Sequence, residues 1–466
     1  MSSLFHQEIR GSMTRFDPVT PKQVEGCSEG DLTYEQLSII LEKYGLSIEY
    51  VLHDPSRKFQ NTFYADYDNA LYHGIYLKRD YFESGGLIAL EQFSQAVKKG
   101  NSFLREKEWE SFYLITVPLP MAIYDFQKRM HDIEPEKVFE VWYGIHKRID
   151  YANGMWTAET LDYIFAHAPE SKKPPVGENS LVTIYRGMGK LSQPPETAIS
   201  WTTHPGNALW FANRSSRGTH LVIADIDPKD IVQYSPGFQY ENEILVRPGT
   251  VQNIRYEDMF PADEETFVKL TMRSLLEYQF FGRQIHKFGY QMETSPFAVH
   301  GIKHILRVLL LSLIYAYNSG EPITSADRDI LVYFALLHDV GRTNEDKDDE
   351  HGQASVDLIH SKNLRVRGID LSAKEYRIAH LIIKYHSRED DEGLAAIQSQ
   401  PGFIKKDKTR TEWLYRICKD MDGLDRVRFN GLDYRMLRTK FARKLPLIAG
   451  CLLNEDMFGA LGLEKF

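Results

Sequence analysis

The stretch FALLHDVGRTNEDKDDEHGQA, residues 334–354, constrains this chain more than any other. An apolar run ends in adjacent His338 and Asp339, a neutral ligand type beside an anionic one. Gly341 stops the pattern, and an acidic loop leads to His351. A His-Asp pair is common by chance; its company gives it weight. HGIKHILRV sets His300, His304 and Arg307 at offsets of four and three, which share one face of a helix. A helical pattern over 376–386 ends in His386. KDMDGLDRVR then places Asp420, Asp422 and Asp425 among helical apolar residues, where acids are costly to bury unless paired or metal-bound. Divalent cations draw carboxylate and imidazole ligands from separate elements, and helices present such ligands as an inward-facing cluster.

The rest of the chain reads as a frame for this cluster and for a second set of residues upstream. Its 466 residues suffice for two or three domains. A net charge of −9 gives no support to a nucleic-acid partner. Cys27, Cys418 and Cys451 are odd in number and far apart, which argues against a disulfide framework and for a reducing compartment. The apolar run 308–317 is shorter than the ~20 residues that span a bilayer, so it reads as a buried helix and no membrane span is expected. The start of the sequence lacks an apolar signal core.

In chain order, residues 1–30 read as an irregular arm, and 31–45 as a helix closed by Gly45. Residues 50–78 carry Phe63, Tyr64, Tyr67 and Tyr72 without a clean period. Helices are expected over 88–96, 118–130, 135–149 and 156–166, the last capped by Thr157, so the block before residue 170 reads as mainly helical with an aromatic core. A Pro-containing connector, 171–179, leads to short alternating runs at 181–186, 197–202, 219–225 and 243–247. Local helices are expected at 205–213 and 228–232. After a charged connector, 256–265, helical patterns run to the end. The fold expected is α+β in two modules: an irregular and helical region over 1–99, a helical lobe with a β-rich module over 100–262, and an all-helical domain over 266–466.

Within the β-rich module, Tyr185-Arg186-Gly187 ends one strand with an arginine suited to bidentate phosphate binding. Ser200-Trp201-Thr202-Thr203 places hydroxyls at another strand end, followed by a helix carrying Trp210 and Phe211. Glu241 and Glu243 flank a strand start, where alternation sets both carboxylates on one side. In this order the motifs resemble the arginine–serine–glutamate class of mono-ADP-ribosyltransferases over roughly residues 100–255, with Trp201 departing from the more usual Thr. The resemblance implies NAD as substrate, bound by Tyr185, Arg186, Gly187, Ser200, Thr202 and Phe211. Arg186 would hold an NAD phosphate, and Ser200 would orient Glu243 and the nicotinamide ribose. Glu243 would stabilise the oxocarbenium ion, and Glu241 would address a protein acceptor, arginine-bearing in that family.

The second set resembles the HD-domain phosphohydrolases over roughly 290–430. The resemblance implies His304, His338, Asp339 and Asp422 as metal ligands (Mn, Fe, Mg or Zn), with His351 and His386 as the added ligands of two-metal members. Arg307 would neutralise developing charge, helped by Lys384 or Arg342. HG-x-x-H-x-x-R is also similar to the phosphodiesterase domain of SidE-type effectors, which act on ADP-ribosyl ubiquitin. Under that template His300 and His386 are the catalytic histidines, Glu345 supports them, and no metal is required. The module order here differs, and a full metal-ligand set is present.

The joint reading is an NAD-dependent transferase acting on a protein acceptor, fused to a phosphodiesterase acting on ADP-ribose or a related diester. It would work in the cytoplasm or, as an effector, in a host cytosol. The alternatives are an HD site hydrolysing a free nucleotide in a toxin or phage-defence protein, and a module serving only to bind.

Overall fold

The computed structural model describes residues 17–18, 32–53, 62–66, 68–149, 152–176, 180–214, 218–237, 241–290, 300–346, 348–429 and 431–453. Of the expected arm only residues 17–18 are among these, and Cys27 lies outside them. Two compact units form, one of residues 1–172 with 197–199 and one of 173–196 with 200–466.

In the first unit, helix α1 (Tyr34–Lys43) begins at a capping box between Thr33 and Gln36, which satisfies two amide donors reciprocally. An antiparallel sheet follows in the order β1 (Asp17–Pro18), β2 (Val51–His53), β3 (Thr62–Asp66) and β4 (Leu71–Ile75). Helices still make up most of the block before residue 170, and the sheet fills the 50–78 stretch that showed no clean period. All five residues of β3 are buried, so no in–out alternation marks the strand. The helices α2 (Leu87–Glu106), α3 (Leu119–Arg129), α4 (Pro135–His146) and α5 (Ala158–Ala166) come next. Thr157 caps α5 as expected, and Tyr113, Phe126, Trp142 and Trp156 interlock edge to face.

The second unit opens with a six-stranded antiparallel sheet ordered β10-β7-β5-β6-β9-β8. Its strands are β5 (Val182–Gly189), β6 (Ser200–Thr202), β7 (Gly218–Ile226), β8 (Ile231–Ser235), β9 (Glu243–Val246) and β10 (Gln252–Tyr256). Helix α6 (Pro205–Asn213) lies on β5. A Cβ at Gly187 would collide with the Ala208 carbonyl and the Ala212 amide of α6, so the glycine after Arg186 is set by this close approach. Two strands escaped the sequence reading. The span read as helix over 228–232 is one 3-10 turn, Pro228–Asp230, running straight into β8. β10 is an exposed edge with a bulge, so it carries no apolar pattern.

Helical structure then takes over in α7 (Glu264–Thr271), α8 (Leu275–Gly282), α9 (Ile302–Asn318), α10 (Ser325–Leu337), α11 (His351–Ser361), α12 (Ala373–Tyr385), α13 (Asp390–Ser399), α14 (Lys405–Leu424) and α15 (Pro446–Cys451). α9 and α10 are buried along most of their length. One apolar core runs from Tyr185, Leu209 and Leu221 of the β-rich module through Leu309 and Leu336 to Leu447 and Ile448. The division between units therefore falls at residue 172, because the sheet shares its core with the C-terminal helices. Among the described residues, no helix is long and apolar enough to cross a membrane.

Candidate functional site

Helix ends build the C-terminal cluster. His338 caps the C-terminus of α10, and Asp339 follows it. His351 opens α11 and His386 caps the C-terminus of α12. Those two histidines meet because a Cβ at Gly352 would strike the Ile383 carbonyl; only glycine lets α11 approach α12 so closely. His304 comes from the first turns of α9, and Asp422 from the last turn of α14. His300, expected on the same helix face, instead occupies the turn before α9, since the helix starts at Ile302.

Two groups share Asp339. His304 Nε2 lies 3.2 Å from His338 Nε2 and 3.3 Å from Asp422 Oδ1, with Asp339 Oδ2 at 3.6 Å. On the other side His351 Nε2 and His386 Nε2 are 3.0 Å apart, at 3.1 and 3.5 Å from Asp339 Oδ1. His304, His338 and Asp339 on one side, and Asp339, His351 and His386 on the other, have ligand atoms close enough to hold one ion each, with Asp339 common to both; Asp422 faces the first group.

The outer contacts fix the tautomers. Nδ1 of His386 donates to the Ile383 carbonyl (2.7 Å), that of His351 to the Asp348 carbonyl, and that of His338 to the Phe334 and Ala335 carbonyls. His304 Nδ1 donates to Asp425 Oδ2 (2.7 Å). Carbonyls only accept, so the Nε2 atoms present lone pairs inward. Facing lone pairs at 3.0–3.2 Å repel unless a cation lies against them. Asp339 Oδ1 is moreover buried with no hydrogen-bond partner. Burial pushes His338 down to about 4, which keeps it neutral and ready to ligate. Burial alone would raise Asp339, but the surrounding imidazoles outweigh it and hold the carboxyl well below its usual range. This donor set fits divalent metal.

The three aspartates of KDMDGLDRVR separate into three roles. Asp420 is wholly buried and accepts from the amides of Arg438 and Thr439 and from the Thr439 hydroxyl, a structural clamp. Asp422 faces the histidines. Asp425 supports His304 and accepts two bonds from Arg307, Nε to Oδ1 at 2.5 Å and Nη2 to Oδ2 at 2.9 Å. Arg307 is thus committed to Asp425, which corrects its expected role as a substrate-facing charge. Arg342 is likewise committed, donating to the Asn344 and Asp346 carbonyls and so shaping the acidic loop. His300 Nδ1 pairs with Glu345 Oε2 at 2.6 Å, and burial lowers its pKa. The sequence reading missed Arg428, which also donates to Asp425; its place one turn beyond Asp425 was the available signal.

Residues 301–427 match the family model of the HD domain. The matched span includes all six ligand-type residues and Asp425, and does not reach the β-rich module. An HD domain suggests a metal-dependent phosphohydrolase. No curated protein and no solved structure matches the chain.

In the β-rich module, Ser200 Oγ donates to Glu243 Oε1 at 2.7 Å, across the β6–β9 pairing. Arg186 Nη1 donates to the Ser200 carbonyl at 2.5 Å, and its Nε is buried without a hydrogen-bond partner. Burial pushes that guanidinium down to about 10. Arg186, Ser200 and Glu243 therefore come together. Glu241 does not share their strand: β9 begins at Glu243, and Asn242 has a φ of 46°, so alternation does not set the two carboxylates on one side. The Glu241 carbonyl instead accepts from the buried Thr202 hydroxyl at 2.7 Å, which gives Thr202 a structural task. Tyr185 points to the opposite face of β5 from Arg186, is buried in the shared core, and accepts from Arg435 Nη1 at 2.9 Å. Its side chain packs in the core. Phe211 is partly exposed on α6, edge-on to Trp210.

Proposed function

We propose that the helical cluster is a two-metal phosphodiesterase site. Two imidazole pairs converging on opposite oxygens of one buried aspartate carry the reading. His304, His338, Asp339 and Asp422 would hold one metal, and Asp339, His351 and His386 the other. Divalent metal there would supply charge neutralisation for phosphoryl oxygens and lower the proton affinity of water. The chain's own residues keep the four imidazoles in one tautomer, exclude water around the buried ligands, and leave Asp422 as the open side. Glu345 orients His300 through Nδ1, so that Nε2 would act as a base and take a proton from the attacking water.

A second activity, NAD-dependent ADP-ribosyl transfer, is favoured by the Ser200–Glu243 bond and the unpartnered Arg186 Nε beside it. Arg186 would take an NAD phosphate, Glu243 would stabilise the oxocarbenium ion, and Glu241 would contact the acceptor protein, for which ubiquitin or an arginine-bearing protein are the candidates. ADP-ribose on such an acceptor contains a pyrophosphate, a phosphoanhydride that water attack at the helical site would cut, releasing AMP and leaving phosphoribose on the acceptor.

The test is hydrolysis of ADP-ribose by the manganese-loaded full chain. Release of AMP by the wild type, lost in His338→Ala, is the expected result. A wild type that cleaves free nucleotides but not ADP-ribose would favour the separate-nucleotide reading. One that cleaves no phosphoester would remove the phosphodiesterase assignment.

A further inference from the structure

We propose that the outer face of α7 and α8 is a dimer interface, on which a second copy of this chain packs with its own α7 and α8 antiparallel. None of the residues involved belongs to the metal cluster or to the Ser200–Glu243 site, so the interface stands or falls apart from both proposed activities.

An apolar stripe is the first ground. Val268, Met272, Leu276 and Phe280 recur at intervals of four and are 47, 67, 80 and 44% exposed. Residues four apart share one face of a helix. The turn between α7 and α8 does not break the row, because Met272 and Ser274 keep right-handed helical backbone angles. Single exposed apolar residues are ordinary; four in one row form a patch of the kind that marks an interaction site. The sequence of α8, LLEYQFFG, is apolar on its inner and outer faces alike, the pattern of a helix covered on both sides.

The inner face is the second ground, since it holds the stripe outward. Phe267, Leu270, Tyr278 and Phe281 fill the core. Glu277 accepts from the Tyr317 hydroxyl at 2.6 Å and from Arg328 Nη1 at 3.0 Å. Gln284, just past α8, donates to the Arg367 carbonyl and accepts from its amide. Both helices are pinned from behind and cannot turn to bury the row. A row fixed in this way loses little freedom when it is covered.

Charge selects the occupant. Glu265 precedes Val268 by three residues and Arg283 follows Phe280 by three, so both continue the row at its two ends. Both are exposed, and among the described residues neither makes an ion pair. An antiparallel two-fold that sets Met272 on Leu276 of the second copy also sets Val268 on Phe280 and Glu265 on Arg283. Each contact then occurs twice, as an isologous interface requires. A parallel pairing would set acid on acid and Arg283 on itself, which is costly. The face is complementary to itself in one direction only, and that favours a second copy over an unrelated partner.

The experiment is sedimentation equilibrium of the purified full chain, with circular dichroism and metal content of each variant as checks on folding. The wild type should show a reversible monomer–dimer equilibrium. Leu276→Asp should raise its dissociation constant ~30-fold or more, as when a central anchor is lost, and Met272→Glu should do the same, with fold and metal content unchanged. Glu265→Arg or Arg283→Glu alone should weaken the dimer about tenfold through two like-charge contacts, and the double variant should restore most of the wild-type constant. A dimer indifferent to Leu276→Asp and Met272→Glu, or a double charge variant no tighter than the single ones, overturns the proposal. So does a monomeric wild type, whether Met272 is then shielded from mild oxidation by another part of the chain or open to it.

Discussion

The metal cluster and the Ser200–Glu243 site differ first in how many contacts fix each group. In the cluster every imidazole is held at Nδ1 by a carbonyl or carboxylate and faces the others through Nε2. The side chains come from five helices or their caps, and all but Asp422 are buried. At the upstream site a part-buried serine–glutamate bond joins neighbouring strands and Arg186 holds the Ser200 carbonyl, beside the backbone irregularity at Asn242. The cluster is organised in advance for its ion, since its lone pairs converge without any ligand. The upstream site keeps one buried donor, Arg186 Nε, waiting. A preorganised site should fail when its supports are removed, and an open one when its charged centre is removed.

Two variants sharpen this contrast, and the larger effect belongs to the open site. Glu243→Gln should lower nicotinamide release from NAD by ~10² or more, the loss seen when one charge-stabilising group is removed, with phosphodiester hydrolysis unchanged. Equal turnover in mutant and wild type would remove Glu243 from the chemistry. Asp425→Asn touches no metal ligand atom, yet it weakens the acceptor that holds His304 and the counter-charge of Arg307 and Arg428. Metal affinity and hydrolysis should fall roughly 10–100-fold while NAD cleavage persists. If either variant depresses both activities alike, the two sites are not independently built.

How much of this was legible in the sequence follows the same contrast. The ligands of the cluster were readable because helices carry them at fixed offsets: His304 and Arg307 lie one turn apart, and His338 and His386 each end an apolar run. Their outer supports were not, since Asp425 and Asp422 differ only in which buried partner each one meets. Arg307 was read as facing substrate for that reason. In the β-rich module the strands carrying Arg186 and Ser200 were legible, but β5 runs on past Arg186 to Gly189, and the two-residue rule failed at Glu241 because Asn242 takes a left-handed conformation. The first sheet was hidden by complete burial of Thr62–Asp66, and β10 by its exposure. Periodicity marks strands with one wet and one dry face, and neither is of that kind.

The central claim is that Asp339 joins two metal sites, and elemental analysis of the purified full chain tests it most directly. Wild type should carry about two divalent metals per chain, His386→Ala about one, and Asp339→Asn neither in full amount, as a shared ligand requires. Wild-type metal content in Asp339→Asn, or a metal-free wild type that hydrolyses phosphodiesters at full rate, would contradict the account.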